Sequence, residues 1–123
     1  MTYNGKQLAA LVKMAVSMAA ADGRFAEEEK IAIIMELANF GVSKDQATAL
    51  VAGAQLMDAA EAISILSNMT NEQKKYATGY LAVIMASDGD IAESEVKMWQ
   101  LICTLSNFPT MNIAEALNFW NNH

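Results

Sequence analysis

Apolar residues recur along this chain at i, i+3, i+4 and i+7, as in Leu8, Leu11, Val12 and Ala15, and again in Ala47, Leu50, Val51 and Ala54. The same spacing returns in Ala59, Ala62, Ile63 and Leu66, in Ala77, Tyr80, Leu81 and Ile84, in Met98, Leu101, Ile102 and Leu105, and in Ile113, Ala116, Leu117 and Trp120. Each set traces one stripe of a helix, and no stretch sustains the alternation of a half-buried strand. The pattern predicts an all-α fold of about seven helices. Two of them, roughly Asn4 to Ala21 and Asn71 to Ser87, turn apolar around most of their circumference in their C-terminal halves. Met14 to Ala21 and Tyr80 to Ala86 are therefore expected at the buried centre.

Helix boundaries carry their own chemistry. Ser43 with Gln46, Asp58 with Glu61, Thr70 with Gln73, and Asn112 with Glu115 all have capping-box spacing, in which two side chains satisfy free N–H groups at a helix start. Gly23, Gly41 and Gly89 follow apolar runs where a left-handed C-terminal cap is needed, and Pro109 separates the last two helices.

Sliding the chain on itself by 66 residues lays Ala20-Ala21-Asp22-Gly23-Arg24-Phe25-Ala26-Glu27-Glu28-Glu29 over Ala86-Ser87-Asp88-Gly89-Asp90-Ile91-Ala92-Glu93-Ser94-Glu95, with six of ten positions identical. Each copy reads as a buried helix, an Asp-Gly turn, an apolar residue two after the Gly, and an acidic start to a second helix. A duplicated helix-loop-helix unit accounts for this. The Ala-Asp-Gly-x-apolar-x-x-x-Glu pattern, present twice in a small acidic helical chain, resembles the tellurite-resistance TerB family and its TerB-like relatives. The resemblance implies a helical bundle with an internal pseudo-two-fold duplication, a role associated with metal or chemical stress, and an acidic surface suited to divalent cations. Asp22, Glu29, Asp88 and Glu95 occupy its motif positions. Relatives often place Asp or Ser three residues before the motif Glu, whereas Ala26 and Ala92 stand there in this chain.

The acidic residues have an architectural account as well. Asp22 and Asp88 can accept backbone N–H bonds across their turns, and Glu29 and Glu95 fall where a carboxylate meets the free N–H groups of a helix start. As cation ligands, Asp22, Glu29, Asp88, Asp90 and Glu95 offer the hard oxygens that Ca, Mg or Mn ions take. Arg24 stands in the first turn where Asp90 stands in the second, so ion affinity is expected to be biased toward the second turn. A standard EF-hand is excluded, because its first and third ligand places would be Ile84 and Ala86.

Catalytic machinery is not readable. The His is the terminal His123, Cys103 lies in an apolar run beside Ile102 and is expected to be a buried, slow-reacting thiol, and no phosphate loop or Ser-His-Asp set can be assembled. Glu36 and Glu61 read as solvent-facing. Trp99, Trp120, Phe119 and Phe108 gather in the C-terminal third, either closing the core or forming a homodimer or partner patch.

Composition narrows the function further. Fourteen acidic against eight basic residues give a net charge of −6, which disfavours nucleic acid and anionic membrane surfaces as partners. Hydrophobic residues make up 54% and proline occurs once, so residues 1–123 are expected to fold as a single TerB-like domain, with nine methionines as flexible filler. The lone cysteine, the absence of a readable secretory leader and the short apolar runs point to a cytoplasmic protein without membrane insertion. No cofactor is expected beyond a divalent cation. The expected function is a non-enzymatic stress-response or scaffold module that binds a cation or a protein partner through its two Asp-Gly turns, with a weak metal-dependent or carboxylate-based enzyme as the competing reading.

Overall fold

A computed structural model describes residues 2–122. Among these residues there are seven α-helices and no strand: α1 (Gly5–Ala19), α2 (Glu27–Glu36), α3 (Lys44–Gly53), α4 (Ala59–Ser67), α5 (Asn71–Met85), α6 (Glu93–Leu105) and α7 (Ile113–Asn122). Short 3-10 turns, Leu37–Phe40 and Ala54–Leu56, extend α2 and α3. Capping decides where the helices begin. Ser43 with Gln46, Thr70 with Gln73, and Asn112 with Glu115 form reciprocal pairs, while Asp58 accepts only the Glu61 N–H. Asn4 and Gln7 form a further reciprocal pair that fixes the start of α1. Gly41 closes the turn after α2 at φ 79°.

The centre of the fold is the pair α1 and α5. α1 packs along α4 and also meets α2, α3, α5 and α6; α5 packs along α7 and also meets α2 and α6. Their apolar halves supply the interior: Leu11, Met14, Met18, Tyr80, Leu81, Ile84 and Met85 are buried. At the other end, the N3 glutamines of the two caps meet, with Gln73 Nε2 donating to Gln7 Oε1 at 3.2 Å. The Tyr3 hydroxyl donates to the Gln73 carbonyl at 2.6 Å, tying the first residues to the start of α5. The close approach of α5 and α7 depends on Gly79, where a Cβ would stand 3.1 Å from the Ala116 carbonyl oxygen and 3.2 Å from Trp120 Cβ.

The aromatic residues of the C-terminal third do not form one exposed patch. Trp99 and Phe108 are buried, and Trp99 Nε1 donates to the Thr78 carbonyl. Trp120 packs on Phe40 and Tyr80 and donates from Nε1 to Glu36 Oε2 at 3.0 Å. Indole nitrogens with internal acceptors are what core-closing tryptophans require. The large apolar side chains left in solvent are instead Leu56, Met35, Leu105, Leu101 and Ile31, with Phe25 and Ile91 of the two turns less exposed. Among the described residues no single helix is long and apolar enough to cross a membrane.

Candidate functional site

The site is built by the turns that end α1 and α5. In the first, the Gly23 N–H bonds the Ala20 carbonyl, Gly23 takes φ 86°, and the Arg24 N–H donates to Asp22 Oδ1 at 2.9 Å. In the second, the Gly89 N–H bonds the Ala86 carbonyl, Gly89 takes φ 80°, and the Asp90 N–H donates to Asp88 Oδ1 at 3.0 Å. A positive φ is the reason for glycine at both places. Each chain then runs extended through Ala26 or Ala92 into the next helix. The two turns thus share one local geometry, and both Asp side chains accept the backbone N–H expected of them.

Glu29 and Glu95 stand at helix starts but are buried there. They do stand at the third position of α2 and α6, yet Ala26 and Ala92 give no side-chain cap and the glutamates turn inward, 4% and 2% exposed. Their Oε2 atoms have no hydrogen-bond partner. Burial is the main force that pushes the Glu29 carboxyl from 4.5 up to about 8; hydrogen bonding and repulsion from Glu95 add to it, then the charges of Asp88 and Asp22. A helix start favours an ionised carboxylate by only roughly 0.3–1 kcal/mol, so here burial and crowding win over the dipole.

Two consequences follow for the sequence-predicted ligands. Asp22 and Asp88, on separate turns, both help to raise the Glu29 carboxyl, so the two turns flank the Glu29 and Glu95 pair. Asp90 is exposed at the outer edge of the second turn, with its N–H given to Asp88. With both glutamates ionised there is only acceptor facing acceptor. A proton on Glu29 lets it donate to Glu95, and a small cation between them satisfies both oxygens. As the side chains stand, no group of three or more His, Cys, Asp or Glu among the described residues is gathered closely enough to hold a metal ion. Glu29 and Glu95 are thus the buried acid pair, and the exposed Asp22 and Asp88 add their charges to it.

The remaining chemical candidates lie elsewhere. Glu61 is exposed as expected, but Glu36 is half-buried and accepts from Trp120 and Asn39. Cys103 is not fully buried: it lines a groove with Trp99, Phe108, Pro109 and Met111 between the end of α6 and the start of α7. The signals for that groove were Pro109 and the asparagines beside it, since Asn107 adopts φ 57° and Asn112 caps α7. His123 lies outside the described residues. Burial pushes the Cys103 thiol up to about 12, which leaves almost no thiolate near neutral pH. Thiol labelling of the native protein should consequently be much slower than labelling in urea; equal rates would mean an accessible, activated thiol.

The family model for tellurite resistance protein TerB matches residues 7–118. Among solved structures, the crystal structure of a protein of unknown function from Porphyromonas gingivalis W83 is similar, with a TM-score of 0.88 and 42% sequence identity over 99% of this chain and 92% of that one. A comparison with curated proteins gave no match.

Proposed function

The chain belongs to the TerB family, and on that footing we propose that it is a non-enzymatic binding module holding a divalent cation between its two acidic turns. The observation that carries this reading is a pair of buried, interacting carboxylates, Glu29 and Glu95, whose Oε2 atoms have no hydrogen-bond partner. Buried carboxylates left facing one another are costly unless a proton or a cation bridges them. Mg2+ and Mn2+ bind through one or two carboxylates and keep water for the rest, which suits two glutamates with Asp22 and Asp88 behind them. Ca2+ takes about six to eight oxygens, so it would draw the aspartates in as direct ligands and is expected to bind less well. A role in tellurite or related chemical stress would then run through the cation, because an oxyanion has the wrong charge for this seat. The grooves beside Cys103 and beside Tyr3 do not include the acid pair.

Titration of chelator-treated protein with Mn2+, Mg2+ and Ca2+, read by thermal unfolding, tests the reading. At an ion concentration of 100 times Kd the folded state gains about 2.7 kcal/mol. The Glu29→Gln/Glu95→Gln double variant should fold and lose that gain. An identical response in wild type and double variant would remove the acid pair as the seat.

A further inference from the structure

We infer that the chain pairs with a second copy of itself, each copy seating Leu56 in an uncharged groove of the other. The groove, about 580 Å3, runs between the start of α1 and α3, with Leu8, Phe40, Val42, Ala49, Leu50 and Gly53 among its walls. None of the described residues that line it is charged. Leu56 is 90% exposed, against 50% for Leu101 and 54% for Leu105 on α6. It belongs to the same run of backbone as the groove wall, because α3 passes through Gly53 at φ -81° and ψ -11° into the 3-10 turn Ala54–Leu56 without leaving the right-handed helical region. Along that coil Gln46, Ala49, Gly53 and Leu56 follow at i, i+3, i+7 and i+10, so an exposed leucine ends the stripe whose earlier members form the wall.

A knob and a groove side by side on one element suit a two-fold pairing, in which each copy gives and receives the same contact. A two-fold axis beside Gly53 turns each Leu56 back over the other copy's Ala49 and Leu50. The wall is open to an incoming side chain: a Cβ added at Gly53 or at Gly5 would meet nothing within 4 Å. Charge selects the occupant. At a net charge of −6 two copies repel, so they meet at least cost across a face without charge, and Gln46 to Met57 carry none. A basic partner would be drawn to the acidic surface instead.

The pairing is independent of the cation reading, so the experiment is sedimentation velocity of the full chain in chelator, from about 1 μM to about 1 mM protein. Wild type should pass from monomer to dimer across that range, and more readily at about 0.15 M than at about 0.01 M salt, because screening weakens the repulsion between copies. Leu56→Ala should weaken the dimer about a hundred-fold, since each dimer loses two buried leucine side chains. Leu56→Glu and Ala49→Glu, one in the knob and one in the groove, should each stay monomeric with unchanged helical circular dichroism, as both positions are exposed in the single chain. Leu101→Glu, on α6, should pair like wild type. A wild type that is monomeric at about 1 mM overturns the inference, as does a Leu56→Glu variant that pairs as tightly as wild type. Loss of the dimer in Leu101→Glu but not in Leu56→Glu places the contact on α6 and overturns it too.

Discussion

Replacing Tyr80 with alanine should cost about 3–5 kcal/mol of folding stability, the range for removing a large aromatic side chain from a core. Tyr80 is fully buried on α5, its ring lies 5.6 Å from Phe40 and 5.8 Å from Trp120, and its hydroxyl donates to the Ile33 carbonyl at 2.9 Å. One side chain thereby holds α2, α5 and α7 together, and α2 carries Glu29 at its other end. Tyr80→Phe separates the contributions: it keeps the ring and removes one buried hydrogen bond, which should cost about 0.5–1.5 kcal/mol. Urea unfolding followed by circular dichroism measures both. A loss below about 1 kcal/mol for Tyr80→Ala would contradict a close-packed aromatic centre. A small domain has about 5–15 kcal/mol in total, so the alanine variant should unfold at markedly lower urea.

Much of this architecture was legible in the chain because it rests on local rules. The apolar spacing placed Met18 and Tyr80 at the centre, and glycine at positions 23, 41 and 89 announced left-handed turns that the backbone adopts. The Asn4 and Gln7 cap has the same spacing as the other caps and stands just ahead of the apolar stripe that begins at Leu8. What spacing could not supply was the direction of side chains that depend on tertiary contact. Glu29 and Glu95 fit a helix start by position, and their burial depends on contacts between helices distant in sequence. Trp99 and Phe108 likewise fitted either a core or a patch by spacing, with the core the simpler account, and both are buried, the Trp99 indole N–H donating to the Thr78 carbonyl. Cys103 sits in an apolar run, yet the chain leaving α6 opens a groove beside it.

In metal-free buffer, the stability that Glu29 contributes should fall as pH rises from about 5 to about 8. Its carboxyl titrates at an ordinary 4.5 in the unfolded chain and near 8 in the folded one, so the native state binds more protons throughout that window. Folding is then favoured on the acid side: the contribution is complete below pH 4.5, declines by up to about 1.4 kcal/mol for each pH unit, and is lost once pH passes the folded value. Glu29→Gln supplies a permanent N–H donor to Glu95 and removes the titrating group, so its stability should be flatter over the same range. The difference between wild type and variant, measured by urea unfolding in chelator at three pH values, isolates this group from the other carboxylates. Parallel curves would mean that Glu29 is ionised in the folded protein at pH 6, and the buried acid pair would lose its shared proton. Adding Mn2+ at pH 8 should restore stability to wild type and not to Glu29→Gln, because a cation then takes the place between the two carboxylates that the proton has left.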